Sequence, residues 1–148
     1  MEVGKFTFEF SWPVTMKALW HKYPCPELSF VKEHRVISVE PVGEDKLIVK
    51  KLMYCNKFKF LKTLTFEELH FDFRNQTLVT HTKFLKPSGF WSKEGIEEMR
   101  YNGEQDRTLC AKIIHGGKGF YDKFFSSFKQ GCEVVEKKAR NFIEKSTK

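Results

Sequence analysis

The order of patterns along the chain predicts an α+β domain: a curved antiparallel sheet of about seven strands wrapped over one long C-terminal helix, with a short helix after strand one. Three observations predict it. Apolar residues alternate at the start and through the middle of the chain, turn residues separate the alternating stretches, and steps of three and four take over after residue 119. The 148 residues, 41% hydrophobic and 30% charged, suit one domain spanning 1–148, and two full domains would not fit.

Phe6, Phe8 and Phe10 alternate with Thr7 and Glu9, the period of a strand with one buried face. Ser11 has the chemistry of a helix cap, Trp12 and Pro13 suit a first turn, and the helix continues through 14–21 until the prolines of Tyr23-Pro24-Cys25-Pro26 stop it. Residues 30–42 and 46–54 are β-branched and alternating on either side of Gly43-Glu44-Asp45, which makes them a hairpin. The basic and aromatic stretch 55–62 is expected to form a flap. In 63–74, Leu64 and Phe66 follow one phase and Leu69, Phe71 and Phe73 the other, so the inward face should switch at Glu67-Glu68 through a bulge or bend. Asn75-Gln76 and Pro87-Ser88-Gly89 turn the chain on either side of 77–85. Residues 90–101 and 106–115 follow, joined through Asn102-Gly103, the strongest hairpin signal in the sequence. After Gly116-Gly117-Lys118-Gly119, the residues Phe120, Phe124, Phe128, Val135, Ala139 and Phe142 mark one face of a long amphipathic helix.

Sixteen phenylalanines must mostly be hidden. Core packing will take many, and a surplus of rings around a curved sheet can also wall a cavity for an acyl chain. The net charge of +7 favours anionic partners, either lipid surfaces or nucleic acid. Nucleic-acid binding is not expected, because the aromatics fall at core-like spacings rather than beside clustered basic residues. Cys25, Cys55, Cys110 and Cys132 lack C-x-x-C spacing, which argues against a metal site, and nothing at the start reads as a secretory signal, so free, mostly buried thiols are expected. No apolar run approaches the ~20 residues needed to cross a bilayer.

A search for catalytic groups finds no nucleophile paired with a base. His21, His34, His70, His81 and His115 fall on different elements without metal-site spacing and receive no role. The glycines of 116–119 supply the turn from sheet to helix rather than a phosphate loop. Glu67-Glu68 and Glu97-Glu98 are adjacent on strands, so the members of each pair point to opposite faces and are read as solvated charges. On these grounds the protein is expected not to be an enzyme and to need no cofactor.

The stretch Trp20-His21-Lys22-Tyr23-Pro24-Cys25-Pro26 resembles the Arg-Tyr-Pro-Asn-Pro signature that ends the first helix of the PRELI-like family, phospholipid carriers of the mitochondrial intermembrane space with a START-like fold. Element order and spacing agree over nearly the whole chain, up to a last helix entered through Lys118-Gly119-Phe120. The resemblance implies a cavity for one acidic phospholipid, phosphatidic acid or phosphatidylserine, carried between mitochondrial membranes by transient contact with an anionic surface. It also implies a small Cys-rich helical partner and placement in the intermembrane space or the equivalent compartment of a reduced mitochondrion. Lys22 falls at the family's basic position and is the first headgroup candidate, with Lys123 and Lys129 on the last helix as the others. Lys57, Phe58, Lys59 and Phe60 would form the entry flap, which is short and lacks the family's tryptophan. Two alternatives stand beside this reading: a START-like binder of a neutral hydrophobic ligand, and a module that binds a partner protein and no lipid.

Overall fold

The computed structural model describes residues 2–22, 31–58, 61–84, 96–115 and 121–146. Along them run β1 (Glu2–Phe8), α1 (Trp12–Trp20), β2 (Val31–Val42), β3 (Lys46–Phe58), β4 (Leu61–Asp72), β5 (Thr77–Phe84), β6 (Ile96–Glu104), β7 (Arg107–His115) and α2 (Tyr121–Ser146). The seven strands form one sheet in the order β1-β7-β6-β5-β4-β3-β2, with every neighbouring pair antiparallel. This is the α+β architecture that the sequence pattern predicts.

Strand periodicity decides what the sheet buries. Val49, Leu69, Leu78, Tyr101 and Cys110 point to the face that also receives Phe128, Cys132, Val135 and Ala139 of α2, and these residues join Phe8, Trp12 and Met16 in one apolar core. The α2 positions are four, three and four apart, the spacing of one helix face. The two helices are tied together where Lys138 of α2 donates to the carbonyl of His21 and Phe142 packs against the ring of His21, 5.8 Å away. A cation at the C-terminal end of α1 also suits the partial negative charge of its last carbonyls. Cys110 and Cys132 are buried free thiols, as expected of them.

Four details correct the sequence reading. Ser11 occupies the N-cap position of α1 without a side-chain cap bond; instead Thr15 Oγ1 donates to the carbonyl of Ser11 at 2.9 Å. The pairing of β4 with β3 and β5 runs without a shift from Thr65 to Asp72, so no bulge lies at Glu67-Glu68. Thr65, Glu67, Leu69 and Phe71 keep one parity on the inner face, while Leu64 and Phe66 lie on the outer face opposite Tyr54 and Leu52. The Asn102-Gly103 pair does not make the β6–β7 turn. That turn falls at Gln105, whose φ is 52°, and Gly103 stays in the strand, where an added Cβ would lie 2.8 Å from the Cβ of Trp12. Gly103 is therefore required for a close approach rather than for a turn. Lastly, the stretch assigned to a flap is largely sheet: Lys57 and Phe58 end β3, and β4 begins at Leu61. Residues 23–30, 59–60, 85–95 and 116–120 lie outside the described residues, and with them the Tyr-Pro-Cys-Pro turn, Lys59, Phe60, the Pro87-Ser88-Gly89 turn and the glycine-rich entry to α2.

Candidate functional site

The antiparallel register places residues from four strands in one line across the inner face. Lys51 of β3 stands opposite Glu67 of β4, Glu67 opposite Thr82 of β5, and Thr82 opposite Glu97 of β6. The neighbouring line is less charged, with Val49, Leu69, Thr80 and Met99 in register, and the next is apolar, with Leu47, Phe71, Leu78 and Tyr101. The inner face thus grades from apolar to ionisable along the strands.

A cleft follows this gradient. Leu69, Phe71, Met99 and Tyr101 line its apolar part, and Lys22, His34, Lys51 and Glu67 line its polar part. Lys51 is only 5% exposed, and its Nζ sits 4.5 Å from the centre of the Trp20 ring at the end of α1. A cation over an indole face is attracted to it, which partly offsets the loss of water around the ammonium. Lys22 follows α1 and reaches towards α2, where an added Cβ on Gly131 would lie 3.0 Å from the lysine Nζ. Gly131 therefore leaves the space into which the Lys22 ammonium fits.

Burial disfavours charge on His34, Lys51 and Glu67. Glu67 has its pKa raised by desolvation and by Glu97, against the opposing pull of Lys51 and Lys22. Lys51 has its pKa lowered, first by desolvation and also by Lys22, with Glu67 opposing. His34 is lowered by desolvation and by Lys51. The cleft therefore holds a carboxyl and an amine whose charged forms are both disfavoured by burial. Deeper in, Tyr101 is buried, with its hydroxyl 3.8 Å from Met99 Sδ, and burial pushes both Tyr101 and Cys110 well up. These groups stay protonated and take no charge into the apolar part.

Of the sequence candidates, Lys22 lines the cleft. Lys129 is exposed on α2 and is not among the lining residues. The side chains of Lys123, Lys57 and Phe58 lie outside the described residues, as do Lys59 and Phe60 altogether. Lys51, Glu67 and His34 were given no role from sequence, although the alternation Val49-Lys51-Met53 and the parity of Glu67 with Leu69 and Phe71 were there to be read.

No family model matches the chain, and no curated protein matches it. Solved structures do. An 18 kDa protein from Caulobacter crescentus superposes with a TM-score of 0.58 at 12% identity, over 95% of this chain and 96% of that one. The Zhui aromatase/cyclase from a Streptomyces species gives 0.53 at 9% identity, over 97% of this chain and 94% of that one. The di-domain aromatase/cyclase StfQ of the steffimycin biosynthetic pathway gives 0.57 at 10% identity over 97% of this chain, which spans 46% of that protein. The chain has a START-like fold. At these identities the likeness concerns fold alone.

Two of these structures are named as enzymes, which overturns the expectation that this chain is not one. The sequence search weighed acidic pairs adjacent in the chain, whereas register sets Lys51 opposite Glu67 across the β3–β4 ladder. The PRELI-like resemblance, within the broader START-like fold, rests on its sequence motif.

Proposed function

We propose that the protein binds one hydrophobic ligand carrying an oxygen-rich polar end, with the apolar body against Leu69, Phe71, Met99 and Tyr101 and the polar end at Lys22 and Lys51. The observation that carries this reading is the gradient of the inner face. An apolar ligand body gains by leaving water in one part of the cleft, and a carbonyl, carboxylate or phosphate oxygen gains hydrogen bonds to ammonium groups in the other. The START-like fold supports it, since the resemblance read from the sequence associates that fold with a cavity for a lipid.

The test is mass spectrometry of lipids and small molecules extracted from protein purified from cells, followed by titration with the compound found, read by tryptophan fluorescence. Lys22→Glu should weaken an acidic ligand about ten- to hundred-fold, the equivalent of the roughly 1.5–3 kcal/mol of a hydrogen bond to a charged group. A folded variant that binds with unchanged affinity removes Lys22 from the site.

Transfer of an acidic phospholipid is the second reading, favoured by the place of Lys22 in the cleft and by the net charge of +7. Placement in the mitochondrial intermembrane space and a Cys-rich partner belong to it. Under this reading fluorescent phosphatidic acid or phosphatidylserine moves between liposomes, and added salt slows the transfer by screening the surface attraction. Absence of transfer, with a neutral or single-chain compound in the extract, removes the phospholipid reading and leaves the first.

A further inference from the structure

We propose that Lys51 is a nucleophilic amine that condenses with the carbonyl group of an apolar ketone or aldehyde held in this cleft, with Glu67 carrying the protons. The inference rests on the ligand-binding reading above and names the chemistry of the same site.

Several observations on the inner face converge on it. Among the lysines the structure describes, Lys51 is one of two that are buried, and it is the one that lines the cleft; the other, Lys112, stands 3.5 Å from the carboxylate of Glu97. Its Nζ is fixed over the Trp20 ring at 4.5 Å, at the border between the apolar and polar parts of the cleft. That is where the carbonyl of a ligand with an apolar body comes to rest. Glu67 stands directly across the β3–β4 ladder and lines the same cleft. Burial and a second cation both make a lysine easier to deprotonate, and Lys51 is buried in the cleft with Lys22 beside it. The charged and titratable groups facing Lys51 are Glu67 from β4, His34 from β2 and Lys22 beyond α1, with Trp20 supplying the ring. Desolvation and Lys22 lower the basicity of the amine more than Glu67 restores it.

The chemistry balances without any outside oxidant or reductant. The lone pair of the neutral amine attacks the carbonyl carbon, a C–N bond forms, and the π pair of the C=O moves to oxygen. Glu67 as the acid gives that oxygen a proton, and its carboxylate takes one from nitrogen, which yields a carbinolamine. Glu67 then protonates the hydroxyl, the C–O bond breaks, water leaves, and nitrogen forms the second bond to carbon. The sum is amine plus carbonyl plus the carboxyl proton, giving a protonated imine, a carboxylate and water. That carboxylate lies beside the new cation, where it can remove a proton from the carbon next to the imine and make an enamine. The site would thus activate ketones for reaction at the neighbouring carbon.

The experiment incubates the whole, unmutated chain with methyl nonyl ketone and sodium borohydride, which converts an imine into a stable secondary amine. Intact-mass measurement and peptide mapping then locate the adduct. Binding of the same ketone without borohydride is followed by equilibrium dialysis. The expected result is binding, with a single adduct on Lys51 that Lys51→Arg and Lys51→Met both lose. The pH dependence of labelling should lie below that of an ordinary lysine and move upward in Lys22→Gln, a shift that a purely structural role for Lys22 would not produce. Binding without an adduct, or adducts spread evenly over surface lysines, overturns the imine chemistry and leaves the ligand-binding reading standing. A ketone that neither binds nor labels overturns the imine chemistry, and the ligand-binding reading is then decided by the extraction experiment above.

Discussion

The two faces of the central sheet carry nearly the same chemistry in adjacent residues and do different things with it. On the inner face Lys51, Glu67, Thr82 and Glu97 stand in register, and on the outer face Lys50, Glu68, His81 and Glu98 do the same one residue away. Outside, the charges find partners of opposite sign: Glu68 meets His70 at 2.8 Å, and the buried Glu98 is covered by Arg100 at 3.3 Å and His81 at 3.9 Å. Inside, Lys51 and Glu67 line the polar part of the cleft, and burial pushes each towards its uncharged form. Residue type is common to both faces, so the difference comes from the parity of the strand and from what covers it.

The largest effect is expected at a buried apolar residue of the inner face. Leu69 is 2% exposed on the inner face of β4, next but one to Glu67, and Leu69→Ala should cost about 2–5 kcal/mol in urea unfolding. A cost below about 1 kcal/mol would mean that this face encloses open space rather than a packed core.

A smaller effect, and one that depends on pH, is expected at Glu67. Its pKa is raised in the folded protein, so across the interval between the ordinary glutamate range and that raised value the folded state keeps a proton the unfolded state has lost. Stability from this group is therefore fullest below the ordinary glutamate range and declines as pH climbs through the interval. Lys51, shifted down, adds the opposite slope as pH rises towards the ordinary lysine range. Glu67→Gln should remove the decline, leaving a flatter profile in urea unfolding at successive pH values. An unchanged profile would place the pH dependence elsewhere.

The smallest effect belongs to the outer face. Glu68→Gln breaks a half-exposed pair with His70 and should change stability by about 0–1 kcal/mol, fading with added salt. A loss as large as that of Leu69→Ala would erase the distinction between the faces.

Much of the fold was legible from pattern alone. Alternation, turn residues and the helical spacing of Phe128, Val135 and Ala139 gave the order of elements, because each is a local signature of burial. Two misreadings had one origin. Leu64 and Phe66 are apolar and were placed inward, although they pair with Tyr54 and Leu52 on the outer face. That forced an imaginary change of phase just at Glu67 and hid its inward direction. Lys22 was found through a motif. Lys51 and Glu67 were missed because cross-strand pairing is a long-range property, and neither residue has its partner nearby in sequence. Asn102-Gly103 misled for a related reason: the demand on Gly103 comes from Trp12, brought against it by α1.

The strand order also sets a schedule. The hairpins from β2 to β7 join consecutive strands and can form as the chain emerges, but β1 pairs only with β7, and Thr108 donates to the carbonyl of Phe10 across 98 positions. At a synthesis rate of about 5–20 residues per second, the first strand waits roughly 5–20 s for its partner to be made. Throughout that interval Phe8 and Trp12, both buried in the finished protein, have no β7 edge to seal them. Loop closure on that scale is the slow kind of step in folding, so β1 and α1 should dock late. The nascent chain is then most open to aggregation or chaperone capture at β1 and α1.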